Sequence, residues 1–165
     1  MLGVDPGMAN VGLAVVAMQG RRPTLAWATT VVTPRDLPDP ARLEQIHGAV
    51  RAAIARHRPV AVALERVAWN VNKQSALAVA RATGVILLAA AQAEIPVEEY
   101  GPLEVKMAVT GQGNADKAQV RAALGKLQGL GDLPSSPDAA DAAAVALCHL
   151  TQSRLRRAAR AVGAG

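Results

Sequence analysis

Ser135-Ser136-Pro137-Asp138-Ala139-Ala140-Asp141-Ala142-Ala143-Ala144-Val145-Ala146-Leu147 is the stretch around which the rest of the chain has to be arranged. It reads as a helix start, with serine at the cap, proline in the first turn and strong helix formers behind it. Asp138 and Asp141 are three residues apart, so on a helix their carboxylates share one face, with Cβ atoms roughly 5–6 Å apart. The residues around them are alanine, valine and leucine, which belong in a core. Acids in a first helical turn complement the helix dipole, and that reading suffices for this stretch taken alone. Two acids on one face of an apolar helix also carry a desolvation cost, which a metal ion is one way to remove. Two further acids, each closing a strand, point towards a site.

The chain has 165 residues, enough for one domain with a real core, and no repeat or linker divides it. Half of it (51%) is hydrophobic but there are only two tryptophans, one tyrosine and no phenylalanine, so the core must be built from Ala, Val, Leu and Ile. A net charge of +5 suits an anionic partner, nucleic acid or a membrane surface. The single cysteine, Cys148, excludes an internal disulfide and falls in the apolar run of the last helix, where it is expected in the core. No signal peptide is expected ahead of the first strand, and a start shortened from the natural one stays open. Val85–Ala91 is apolar but too short to span a bilayer. A soluble, cytoplasmic protein is expected.

Leu2-Gly3-Val4-Asp5 reads as a short strand ended by an acid and broken by Pro6-Gly7. Val11–Ala17 and Thr24–Thr33 follow as strands, with a turn at Gln19–Pro23, and the three form an antiparallel meander. Ala41–Arg58 repeats apolar residues at helical spacing, with its arginines, His47 and His57 expected at the solvent. Pro59–Glu65 is continuously apolar until its final acid, which suggests a strand covered on both faces, with Glu65 at the carboxyl end where α/β sheets bind ligands. Trp69, in the loop 66–72, either packs down as a lid or stacks on a base. Lys73–Glu94 reads as a helix apolar on nearly all sides, which is either wholly buried or carries a second face for a twofold partner. A strand at Ile95–Tyr100, with Glu98 and Glu99 solvated, leads to a helix from Pro102 that carries Lys106. The loop Thr110-Gly111-Gln112-Gly113-Asn114 enters a helix capped by Asn114, with Lys117 in its first turn. Loop amides and an early lysine make a phosphate contact, although the Walker order is missing. The basic end, Arg154–Arg160, is an arm that either touches phosphates or keeps the protein soluble; the expected division is 1–153 for the domain and 154–165 for a basic tail.

Three strands, helix, strand, helix, strand and further helices is the order of an α/β, ribonuclease-H-like domain, a mixed five-stranded sheet flanked by helices. In it Asp5, Glu65, Asp138 and Asp141 can converge at one end of the sheet. Four such oxygen donors suit Mg²⁺, with Mn²⁺ able to substitute, and two ions can clamp the attacking and leaving oxygens of a phosphodiester.

The chain resembles the RuvC family of Holliday-junction resolvases along almost its whole length. The likeness rests on Gly3-Val4-Asp5-Pro6-Gly7, Ala63-Leu64-Glu65, Gln74-Ser75-Ala76-Leu77, Ala80-Arg81-Ala82-Thr83-Gly84, Val105-Lys106, Gly111-Gln112-Gly113, Asp116-Lys117-Ala118-Gln119-Val120 and Pro137-Asp138-Ala139-Ala140-Asp141-Ala142. The resemblance implies a homodimeric, Mg²⁺-dependent crossover junction endodeoxyribonuclease with two ions per site, nicking opposed strands of a four-way DNA junction symmetrically and leaving ligatable 5′-phosphates. It implies Asp5, Glu65, Asp138 and Asp141 as metal-binding catalytic acids, Lys106 and Lys117 on the scissile DNA, the helix from Lys73 to about Glu94 as the dimer helix, and the RuvA and RuvB branch-migration proteins as partners. Lys117 is also the candidate for offsetting charge on the phosphate, and Arg66 and Lys73 are further candidate DNA contacts. The family's stacking aromatic has no match at its usual spot, where Ala68-Trp69 stands, so Trp69 is the candidate substitute. Two other classes stand beside this reading: a junction-binding module without catalysis, and an actin-like ATPase-type domain, which would need a second domain around its nucleotide.

Overall fold

The computed structural model describes residues 1–20, 22–66, 73–126, 130 and 133–162, with side chains in the last segment to Ser153. Strands β1 (Leu2–Asp5), β2 (Asn10–Gln19) and β3 (Arg22–Val32) come first, then helix α1 (Asp39–His57), strand β4 (Val62–Glu65), helix α2 (Lys73–Gln92) and strand β5 (Val97–Tyr100). Helices α3 (Pro102–Thr110), α4 (Lys117–Lys126) and α5 (Pro137–Val162) complete the chain. The strands form one mixed sheet in the order β3-β2-β1-β4-β5. The meander β1-β2-β3 is antiparallel, and β4 and β5 add in parallel beyond β1. This is the expected five-stranded ribonuclease-H-like sheet, with β1 at its centre.

Alternation along the strands divides the core in two. Leu2, Val4, Val11, Leu13, Val62 and Leu64 face α1 and α2. Ala14, Val16 and Ala63 face α5, α3 and α4. The second face is built from small groups, and two glycines let α5 lie directly on it. A Cβ at Gly3 would stand 2.0 Å from the carbonyl oxygen of Ala142, and one at Gly12 would stand 1.9 Å from that of Asp138. The alanine run of α5 fits this shallow bed, and Ala142 to Cys148 are all buried. Cys148 is core as expected, and burial pushes its thiol up to about 12.

Element ends differ from the sequence reading for local reasons. Helix α1 begins at Asp39, with a proline in its first two positions, and stops at Arg58, whose left-handed φ of 45° closes the C-cap on the Ile54 carbonyl. Strand β4 starts at Val62, because Val60 is 79% exposed and only from Ala61 on does the backbone meet its neighbours. Asn114 is not the cap of α4. Asp116 is: its carboxylate accepts from the Gln119 N–H (2.8 Å) while the Gln119 side chain accepts from the Asp116 N–H (2.9 Å), a reciprocal capping box. His57 is not a free surface residue; its ring lies on Trp27, with centroids 4.7 Å apart. His47 Nε2 donates to the Gln92 amide oxygen at 3.0 Å. Nor do all the α1 arginines face solvent, since the Arg42 side chain is only 12% exposed. The basic stretch 154–160 continues α5 without a break to Val162.

Helix α2 is long and apolar enough to cross a membrane by length and composition, more so than the run Val85–Ala91 alone indicates. Ala82, Ile86, Ala89 and Ala90 pack inward against α1 and the sheet, while Leu77, Leu87 and Leu88 are exposed.

Candidate active site

Asp5 ends β1 and Glu65 ends the neighbouring parallel strand β4, in a register that pairs Gly3 with Ala63 and Val4 with Leu64. The period of two puts Asp5 on the same face as Gly3, and Glu65 on the same face as Ala63. Both carboxylates therefore project towards α5. The close seat of α5 on Gly12 and Gly3 brings its first turns over that end of the sheet, Asp138 at Gly12 and Asp141 one turn on. The Ser136 hydroxyl is hydrogen-bonded to Thr30 of β3, which ties the start of α5 to the far side of the meander.

These acids feel one another. The Asp5 carboxyl is pushed up from 3.8 to about 8, first by burial and then by the charges of Glu65, Asp141 and Asp138, against a smaller opposing pull from Lys117. Glu65 is raised too, by burial and by Asp141, with Lys117 and Lys106 opposing. Lys117 donates to Asp141 Oδ2 at 2.9 Å, and that bond raises the lysine above its ordinary value. The Asp116–Gln119 box fixes Lys117 as the first residue of α4, aimed across at α5.

A cleft of about 500 Å³ opens at this point, lined by Asp5, Glu65, Asp141, Lys106, Lys117 and Arg66 among others. Asp138 does not line it and reaches the cluster through its charge on Asp5. Among the described residues no three acid, histidine or cysteine side chains are drawn together closely enough to hold an ion as they stand. The ammonium of Lys117, held on Asp141, brings a positive charge to the cluster. Arg66 reaches the cleft wall while turning its guanidinium to Glu99, with Nη2 3.4 Å from the Glu99 carbonyl and Nε 3.8 Å from its carboxylate. Lys73 is exposed at the start of α2 and is not part of the wall. Trp69 lies outside the described residues.

Sequence reasoning missed Ser75 and Val79, which carry α2 into the cleft wall. Ser75 stands in one of the quoted motifs, but nothing local marks it as a site residue. It also missed Gly12, whose role depends on a helix more than a hundred residues away.

The family model for crossover junction endodeoxyribonuclease RuvC matches residues 1–149. The chain belongs to the RuvC family. It is 45% identical over 155 residues to the crossover junction endodeoxyribonuclease RuvC of Syntrophomonas wolfei, covering 94% of this chain and 90% of that one. The RuvC of Thermotoga petrophila is 40% identical over 157 residues, covering 95% of each. Among solved structures, Thermus thermophilus RuvC superposes with a TM-score of 0.86 at 36% identity, covering 93% of this chain and 95% of its own. The same protein in complex with Holliday junction substrate gives 0.87 at 37% identity, covering 93% and 94%. RuvC proteins are metal-dependent nucleases, and an all-carboxylate cluster with a strongly raised member is the donor set a hard divalent cation fits.

Proposed function

We propose that this chain is a Holliday-junction resolvase, an endonuclease that nicks two opposed strands of a four-way DNA junction symmetrically and leaves 5′-phosphates that a ligase can seal. The observation that carries the reading is the convergence of Asp5, Glu65, Asp138 and Asp141, from β1, β4 and α5, into one electrostatically coupled cluster beside Lys106 and Lys117. Membership of a family of junction endonucleases, and likeness to a relative solved with Holliday junction substrate, support the same reading.

The four acids would hold Mg²⁺, two ions per site, with Mn²⁺ able to substitute. Such ions supply Lewis acidity and a water made nucleophilic near neutral pH. The chain's own residues do the rest. Asp5 and Glu65 present their oxygens from the ends of two neighbouring strands, so the sheet itself sets where these two acids stand. Lys117 neutralises Asp141 in the free protein, and it stands where an ammonium can take up charge on a phosphate. Lys106, which also lines the cleft, adds a second positive charge.

Symmetric nicking needs two such sites. The outward stripe Leu77, Leu87 and Leu88 on α2 is 55%, 37% and 50% exposed and is continuous with Gly84, where a Cβ would meet nothing. A second copy packed on this stripe forms the dimer in our reading and places two clusters on one junction. RuvA and RuvB, and a cytoplasmic setting, belong to the same proposal. The test is Asp5→Asn, which should abolish junction cleavage and leave junction binding in place. Parallel loss of both would contradict the assignment of the cluster as the catalytic centre.

A further inference from the structure

The turn that follows Asp5 is clamped from behind. The carbonyl of Met8 accepts the hydroxyl of Thr33 and also Nη2 of Arg42, at 3.1 Å. The Nε of Arg42 donates to the same Thr33 hydroxyl at 3.0 Å, and the Thr33 N–H donates to the Ala9 carbonyl at 2.9 Å. Thr33 is 2% exposed, the one buried polar side chain among the described residues. The backbone of the turn, the end of β3 and the first turns of α1 therefore meet in one closed set of hydrogen bonds. A charged donor to a buried carbonyl is among the stronger hydrogen bonds, and its removal leaves a buried acceptor short of a partner.

The clamp extends outwards. Arg42 faces the carboxylate of Asp39 at 4.0 Å, and the other oxygen of that carboxylate accepts from Arg81 at 2.7 Å. Arg81 belongs to α2, so one string of polar contacts runs from the turn that follows Asp5, through α1, to the helix that carries the exposed apolar stripe. Pro6, in the same turn, lines the cleft.

We infer that Arg42 is a positioning residue: it fixes the turn Pro6–Ala9, and with it the placement of Asp5 against Glu65 and α5. This rests on the proposed function, because it assigns Asp5 to the reaction. Misplacement of a reacting group by about 1 Å can cost on the order of a hundredfold in rate.

The experiment compares Arg42→Ala, Arg42→Lys and Thr33→Val with the unaltered chain. Amide hydrogen exchange, junction binding and junction cleavage against Mn²⁺ concentration are measured for each. For Arg42→Ala, faster exchange should be confined to the turn after Asp5 and to Thr33, junction affinity should be kept, and cleavage should fall by about tenfold with a higher half-saturating Mn²⁺ concentration. Arg42→Lys, which keeps a cation for the Met8 carbonyl, should recover part of the rate. Thr33→Val is close in volume and should shift the Mn²⁺ requirement in the same direction, so it serves if Arg42→Ala does not fold. An exchange change spread evenly over the sheet, or a lower rate with the Mn²⁺ requirement unmoved, would overturn the inference and leave Arg42 a stabilising contact only. Failure of the proposed function would look different: the unaltered chain would not cleave, while the local exchange change would still occur.

Discussion

Burial and three neighbouring carboxylates hold the Asp5 carboxyl near 8, so the folded chain keeps a proton there that the unfolded chain gives up near 3.8. Between those values the folded state binds more protons, and its stability must fall as pH rises. Glu65 adds to the same slope. Lys117, raised by Asp141, contributes stability that is lost only above its own ordinary value of 10.5, outside this window. Without divalent ions, the Tm should therefore decline from pH 5 to pH 8. Asp5→Asn should flatten that decline and melt higher than the unaltered chain at pH 8, and a lower Tm there would contradict the electrostatic account. Added Mg²⁺ should raise the Tm more at pH 8 than at pH 5, because the ion competes with protons for the same oxygens. Lys117→Ala should weaken cleavage more than it weakens folding; an unaltered rate would remove Lys117 from the site. The placement of the four acids was legible in the sequence, because each sits at a strand end or a helix start. The partner of Lys117 was not, since its contact with Asp141 joins two helices, 24 residues apart in the chain.

The seat of α5 is the element that turns a sheet with acids at its edge into a cluster. Gly12→Ala would drive a methyl group into the Asp138 carbonyl, so the helix must lift or the sheet must bend. Overpacking of this kind costs about 1–3 kcal/mol, and here it should also lower cleavage by displacing Asp138. Gly48→Ala is the matched control: Gly48 is exposed within α1 with nothing near its Cβ position, so the same change should stabilise by about 0.5–1 kcal/mol through helix propensity. Thermal melts of both variants, with junction cleavage alongside, check the pair. The alternation of apolar residues made β1 to β3 and the central part of α1 readable from the sequence. The tight Gly–Ala packing was not, because small residues carry no periodic signal and their meaning depends on which helix lies across them. The cap of α4 went to Asp116 over Asn114 for a similar reason: Asp116 has Gln119 three residues on to return its hydrogen bond, and Asn114 has Lys117, which is drawn to α5 instead.

In the molecule as a whole, a mixed sheet with β1 at its centre carries two chemically different faces: α1 and α2 on bulky residues, α5 on small ones. The order of elements in the chain was sufficient to anticipate the mixed sheet, since strand–helix–strand crossovers build parallel neighbours beside an antiparallel meander, but not which helices cover which face. The two-sided apolarity of α2 was also visible in the sequence, but which side faces outward required the packing of Ala82, Ile86, Ala89 and Ala90 to be seen. Replacing Leu87 and Leu88 together by glutamate should leave the fold intact and turn the proposed dimer into a monomer in sedimentation; unchanged sedimentation would rule this stripe out as a twofold contact. The most direct test of the central claim is cleavage of an end-labelled four-way junction beside a linear duplex of the same sequence, in Mg²⁺, Mn²⁺ and EDTA. A junction resolvase makes paired, symmetric, metal-dependent nicks in the junction alone. Junction binding without nicks under every metal, or equal cutting of the linear duplex, would contradict that claim.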